Sequence, residues 1–159
     1  NKMNYHLINA SYAESTMSKE ITSNSTYSGV LRVQSEVISY KPDVVLMFLG
    51  TNDLGRHIAL SSFLTDYENT IVLLKKNLPK TKIVAVGLLP RVDFTKEQIA
   101  EFSQTIQNLA RRMDIFYINP YSWLGAGDFN DALHPSQKAQ TKLADEFFAS
   151  LIKMKLINL

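Results

Sequence analysis

The chain contains no cysteine. That excludes a disulfide framework and a thiolate zinc site, and it is compatible with either side of a membrane. Its three histidines, His6, His57 and His134, lack the spacing of metal ligands. No apolar stretch approaches the length of a membrane span. Lys and Arg number 17 against 15 Asp and Glu, and no basic run is longer than Lys75-Lys76 or Arg111-Arg112. Nothing therefore points to nucleic acid. No glycine-rich phosphate loop follows any apolar run, which argues against a flavodoxin-like nucleotide binder. What remains is a single domain, 1-159, that is 45% hydrophobic and 20% charged, large enough for a real core. It starts at Asn1 with neither an initiator Met nor a leader, so the expectation is a mature form or a fragment.

The richest stretch is Asp43-Val-Val-Leu-Met-Phe-Leu-Gly50-Thr-Asn-Asp53. Six apolar residues, Val44 to Leu49, end at a glycine and polar residues. Such a run predicts a central strand of a parallel sheet, covered on both faces. Ligands of open α/β sheets bind beyond the carboxyl ends of such strands, which puts Gly50, Asn52 and Asp53 where chemistry is expected.

The rest of the chain alternates. Tyr5 to Ala10 reads as a short strand, and Ser11 to Tyr27 as a polar loop. Gly29 to Tyr40 carries a helical stripe ended by Pro42. From Leu60 the apolar positions 63, 64, 67, 71, 74 and 78 predict an amphipathic helix closed by Pro79. Lys82 to Leu89 reads as a buried strand. Thr95 and Gln98 form a capping-box pattern opening a helix with Ile99, Phe102, Ile106, Leu109 and Met113 on one face. Ile115 to Ile118 is a third buried strand, and Asn119 to Leu133 a long loop. Pro135 suits the first turn of a last helix burying Ala139, Leu143, Phe147 and Leu151. Strand–helix alternation of this kind predicts an α/β fold with a mainly parallel sheet between helical layers.

Two clusters carry chemistry. His134 lies three residues after Asp131 and just before a helix. A carboxylate can accept the Nδ1 hydrogen bond of an imidazole and fix its tautomer, freeing the other nitrogen as a general base. Asn52 offers an amide donor suited to an oxyanion at the end of the long apolar strand. Taken singly, Gly-Thr-Asn-Asp is an ordinary turn and Asp-x-x-His-Pro an ordinary helix cap. Their pairing at the ends of one sheet is what argues for a site. His6, in the first expected strand, reads as a packing residue, and His57 as a solvated helix start.

Phe48-Leu-Gly50-Thr-Asn52-Asp53 and Asp131-Ala-Leu-His134-Pro135 resemble the third and fifth sequence blocks of the SGNH (GDSL-type) hydrolases. Leu7 to Thr16 is similar to the strand and loop around the second block. The resemblance implies a flavodoxin-like three-layer α/β/α sandwich that hydrolyses carboxylic esters or thioesters through an acyl-serine, with no metal or cofactor. It implies His134 as base, Asp131 as its orienting partner, and Asn52 with Gly50 at the oxyanion side. Two departures stand out. No Gly-Asp-Ser block carrying the nucleophile occurs, so the expectation is that about one βα unit, roughly 30 residues, is missing at the amino end and that the serine lies outside this chain. Glu14 also stands where the family has a glycine whose backbone N–H helps form the oxyanion hole. The substrate expected is a small ester, such as an O-acetyl group on a carbohydrate, in a cleft whose apolar walls would be Leu54, Phe94, Trp123 and Phe129. The competing expectation is a non-catalytic binding or interaction module on the same fold.

Overall fold

The computed structural model describes residues 5–20 and 27–158. Three parallel strands, β1 (Val44–Met47), β2 (Lys82–Val86) and β3 (Phe116–Ile118), pair in that spatial order. The helices are α1 (Gly29–Glu36), α2 (Thr51–Gly55), α3 (Leu60–Asn77), α4 (Lys96–Arg112) and α5 (Gln137–Lys153). Val45 is in register with Ile83, and Val84 with both Leu46 and Phe116. Because strand side chains alternate between faces, the sheet presents two apolar surfaces.

Val45, Met47, Ile83 and Ala85 belong to the main core with Phe63, Tyr67, Ile71 and Leu74 of α3 and Ile99, Phe102, Ile106 and Leu109 of α4. These helical residues recur every three or four positions, which aligns them on one face. Phe63 meets Tyr67 and Phe102 at ring distances of 5.4 and 5.1 Å. The Tyr67 hydroxyl donates to the Met47 carbonyl at 3.1 Å, satisfying the polar end of a fully buried ring. α4 opens on the expected capping box: Thr95 Oγ1 accepts from Gln98 N, and Gln98 Oε1 from Thr95 N. Basic pairs, Lys75-Lys76 and Arg111-Arg112, close α3 and α4 where the helix dipole favours them.

The second face, with Leu46, Val84 and Phe116, looks toward α5. There Ala139 and Leu143 pack with Leu124, Leu89, Trp123, Phe129 and Phe147. Phe48 lies edge-to-face with Phe147 at 5.5 Å. The fold is thus α/β, with helices on both sides of a parallel sheet.

Several expectations are corrected. Residues 5–10 form no strand and lie mostly exposed, His6 included. Tyr5 instead packs its ring edge-to-face on Phe148 and donates to the Asn158 carbonyl. The segment has strand-forming residues, but an extended segment needs a neighbouring ladder, and packing context overrides propensity. β1 is not central among the described residues. It pairs only with β2, and Leu46 (41%) and Phe48 (38%) remain exposed. Cover on both faces holds for β2, where Ile83, Val84, Ala85 and Val86 are all buried. α1 stops at Glu36, and a 3-10 turn (Ile38–Tyr40) and a left-handed Lys41 precede Pro42. Pro135 lies outside the last helix, because Ser136 takes the cap by accepting from Ala139 N. Phe147 and Leu151 are only half-buried, since the sheet face they approach is partly open.

Candidate active site

At the end of β1 the backbone turns at Gly50 with φ +126°, a conformation that favours glycine. A Cβ there would also lie 3.1 Å from Leu88 and 3.3 Å from Phe63. The turn launches α2, with Leu54 N donating to the Gly50 carbonyl at 2.9 Å. That places Asn52, Asp53 and Arg56 within little more than one helical turn.

All three side chains grip one loop. Asn52 Nδ2 donates to the Ser15 carbonyl at 2.9 Å. The buried Asp53 carboxylate accepts Met17 N at 2.8 Å and Ser18 N at 2.9 Å. Burial pushes the Asp53 carboxyl above its ordinary value, and the Ser18 and Met17 N–H groups oppose that rise. Arg56 pairs with the Glu14 carboxylate at 3.2 Å. From α3, buried Asp66 accepts the Ser18 hydroxyl and Lys19 N, both at 3.0 Å. Ser15, Thr16, Met17 and Ser18 are consequently buried without being in a helix or a strand. Their backbone groups are satisfied partly by these side chains and partly by backbone, Thr16 N donating to the Tyr27 carbonyl and Gly29 N to the Thr16 carbonyl, both at 2.8 Å.

Glu14 has φ +62°. It therefore occupies, as a glutamate, a backbone conformation that glycine adopts most easily. Its carboxylate is drawn out to Arg56 on the exposed side.

The second half of the site closes on itself. Asp131 Oδ1 accepts Leu133 N (2.8 Å) and His134 N (2.7 Å), while Oδ2 lies 2.8 Å from His134 Nδ1. The His134 N–H, then its imidazole, then the Leu133 N–H hold the Asp131 carboxyl down to about 2. Asn130 N donates back to the His134 carbonyl at 2.8 Å. Both side chains are exposed, 56% for Asp131 and 70% for His134. Among the described residues, His134 Nε2 has no hydrogen-bond partner.

The loop after β2 ties the halves together. Arg91 donates to the Thr51 carbonyl at 2.8 Å, and Val92 N donates to the Ala132 carbonyl at 3.2 Å. Arg91 is held by Asp93 through Nε (2.9 Å) and a second nitrogen (2.5 Å), and it lies over the Phe94 ring. His57, exposed between α2 and α3 with φ +54°, faces the same ring at 5.9 Å. The serines near the amino end are engaged elsewhere. Ser15 Oγ accepts from Arg32 (3.0 Å), Ser18 Oγ donates to Asp66, and Ser11 is exposed beside Asn9. Of the expected cleft walls only Phe94 stays at this site. Leu54 is buried, and Trp123 and Phe129 pack beneath α5. Two concave recesses, of about 330 and 380 Å³, lie around Ala110–Tyr117 and Tyr117–Lys153 and include none of the site residues.

Sequence reasoning placed Asp53 at the expected site without a role, and missed Asp66 and Arg91. Asp66 carried a signal, since it falls on the apolar stripe of α3 between Phe63 and Tyr67, where a carboxylate demands partners. Arg91 carried none.

A parallel α/β sheet with the candidate loops at its carboxyl ends is the architecture shared with solved GDSL-like hydrolase structures. The whole fold superposes on TesA with a TM-score of 0.78 at 20% identity, covering 98% of this chain and 82% of TesA. The chain belongs to the GDSL-like lipase/acylhydrolase family, whose model matches residues 4–142. A GDSL-like lipase from Bacteroides thetaiotaomicron superposes with a TM-score of 0.64 at 21% identity, covering 80% of this chain and 68% of that one. The acetylxylan esterase Axe2 from Geobacillus stearothermophilus superposes with a TM-score of 0.62 at 18% identity, covering 74% and 63%. The chain thus spans about two thirds of the length of several such structures. No curated protein matches it by sequence.

Proposed function

We propose that this chain supplies the base, the orienting carboxylate and the oxyanion donors of a serine ester hydrolase whose nucleophilic serine lies outside it. The observation that carries the reading is the Asp131–His134 pair, with Nδ1 engaged and Nε2 free. In the reaction, Nε2 takes the proton of the serine hydroxyl as its oxygen attacks the ester carbonyl. The Asn52 amide, the Gly50 turn and the Glu14 backbone N–H form the oxyanion side, and the imidazolium returns its proton to the leaving alcohol. Water then repeats the sequence to release the acid. No metal, cofactor or nucleic acid enters this scheme. The partner is a small-molecule ester.

The edge of β1 that is unpaired among the described residues supports an external nucleophile. A strand added parallel to β1 would end level with Gly50, and a helix following it would cover Leu46 and Phe48. The loops that carry the site residues are polar, with Phe94 the one expected apolar wall beside them, which favours a short acyl group such as acetyl on a carbohydrate. The engaged hydroxyls of Ser15 and Ser18 favour the second reading, a non-catalytic binding module. Two measurements separate these readings. This chain alone should not be labelled by a fluorophosphonate, and labelling at Ser11, Ser15 or Ser18 would reject an external serine. The protein that includes the nucleophile should hydrolyse acetyl esters faster than decanoyl esters. Absence of turnover on both would leave the binding module, and a decanoyl preference would reject the short-acyl assignment.

A further inference from the structure

Asp53 takes no part in the proton transfers above, yet it is wholly buried and sits next to Asn52 on α2. Its two oxygens accept from two consecutive backbone N–H groups, Met17 and Ser18. The carbonyl that receives the Asn52 amide belongs to Ser15, in the same short loop. The residue before it, Glu14, stands in the left-handed conformation. Asn52 and Glu14 are therefore positioned against one another through the segment that Asp53 holds, with the Arg56–Glu14 ion pair as a second link.

We propose that Asp53 is the positioning residue of the oxyanion side, fixing the 14–18 loop so that the Asn52 amide and the Glu14 backbone N–H converge. Asp66 is the auxiliary clamp, reaching the far end of the loop at Ser18 and Lys19. This assignment rests on the ester-hydrolase reading for its purpose, but its geometry can be tested without turnover.

The chemistry favours a carboxylate at this position. Two N–H donors one residue apart require two acceptor atoms on one side chain. An asparagine offers one carbonyl oxygen, and its NH₂ would then face a second donor. One buried N–H is left unsatisfied, which loosens the loop. Asp53→Asn is nearly isosteric, so the core around it keeps its volume.

The test is NMR on this chain. In the wild type the Met17 and Ser18 amides and the Asn52 side-chain amide should be protected from exchange. In Asp53→Asn, protection of Met17 and Ser18 should fall at least about tenfold, the size of one lost hydrogen bond, and the Asn52 Nδ2 resonances should shift. Ser18→Ala, which spares both Asp53 bonds, should leave the Asn52 resonances in place. If Asp53→Asn does not fold, Asp53→Glu keeps the charge and should still displace the Asn52 resonances. Unchanged Asn52 resonances and unchanged Met17 and Ser18 protection in a folded Asp53 variant would overturn the assignment. In the protein that includes the nucleophile, Asp53→Asn should lower kcat and leave KM unchanged. Wild-type inactivity there would defeat the hydrolase reading, while the NMR result would still decide the positioning role.

Discussion

Asp131 holds His134 at two points, taking the backbone N–H on one oxygen at 2.7 Å and the imidazole Nδ1 on the other at 2.8 Å. The ring is thereby oriented by residues three positions away, within the loop that precedes α5. The hydrogen-bonded aim of this imidazole rests on no other element among those described, so the pair can be altered without disturbing the core.

His134→Gln should accordingly leave stability within about 0.5 kcal/mol, as for other exposed surface sites. Ester turnover by the protein that includes the nucleophile should fall at least roughly a thousandfold, because triad members act as a unit. Thermal unfolding and steady-state kinetics on the same samples check both halves. Unchanged turnover removes His134 from the chemistry.

The depressed Asp131 carboxyl has a definite pH signature. Its folded value of about 2 lies below the ordinary aspartate value of about 3.9. The stabilisation it contributes is complete above the unfolded value and is lost as pH falls through the folded one. The stability difference between wild type and Asp131→Asn should shrink as pH falls from about 4 toward 2. Urea titrations across that range would reveal it, and a difference that does not vary with pH would show that the bonds to His134 and Leu133 do not persist in solution.

Asn52→Ala separates an oxyanion donor from a turn residue. Loss of one such donor costs roughly a hundred- to a thousandfold in kcat, with KM nearly constant. A rise in KM alone would make Asn52 a substrate-binding group. Loss of the bond to the Ser15 carbonyl should cost about 1 kcal/mol, measurable by denaturation and too small to account for such a fall in rate.

Gly50 and Glu14 should respond in opposite ways to exchange of side chain. Gly50→Ala introduces a Cβ against Leu88 and Phe63 at a positive φ, and should cost at least about 2 kcal/mol. Glu14→Gly removes the strain of φ +62° but adds freedom to the unfolded chain, effects of about 1 kcal/mol each. Stability should therefore change by less than about 1 kcal/mol. Chemical denaturation of the two variants is the measurement. A large loss in Glu14→Gly would mean that its side chain, through Arg56, anchors the loop.

The helices were legible because burial writes a period into sequence. The stripes of α3 and α4 and the Thr95–Gln98 cap stand in the structure as the residues imply. Asp131 and His134 were legible as neighbours because their contact is local. The two main failures share a cause. Residues 5–10 and β1 were read from their own composition, but whether a segment becomes a strand, and whether it lies inside the sheet, depends on what pairs with it. The 15–18 loop looked solvated because Ser and Thr dominate it. It is buried because the start of α1 bonds to its backbone and two distant carboxylates, Asp53 and Asp66, meet it from the other side, and no local pattern reports a partner 35 or 48 residues away.

The bare side of β1 also bears on how the isolated chain behaves in a test tube. Among the described residues, the backbone donors and acceptors on that edge beside Leu46 and Phe48 are unanswered, and such a row is a template for any other extended segment. Two copies of the chain can satisfy one another there as readily as a strand of different origin. The apparent molar mass of the purified chain from light scattering should therefore rise with protein concentration, and Leu46→Lys should suppress that rise without touching Asn52 or His134.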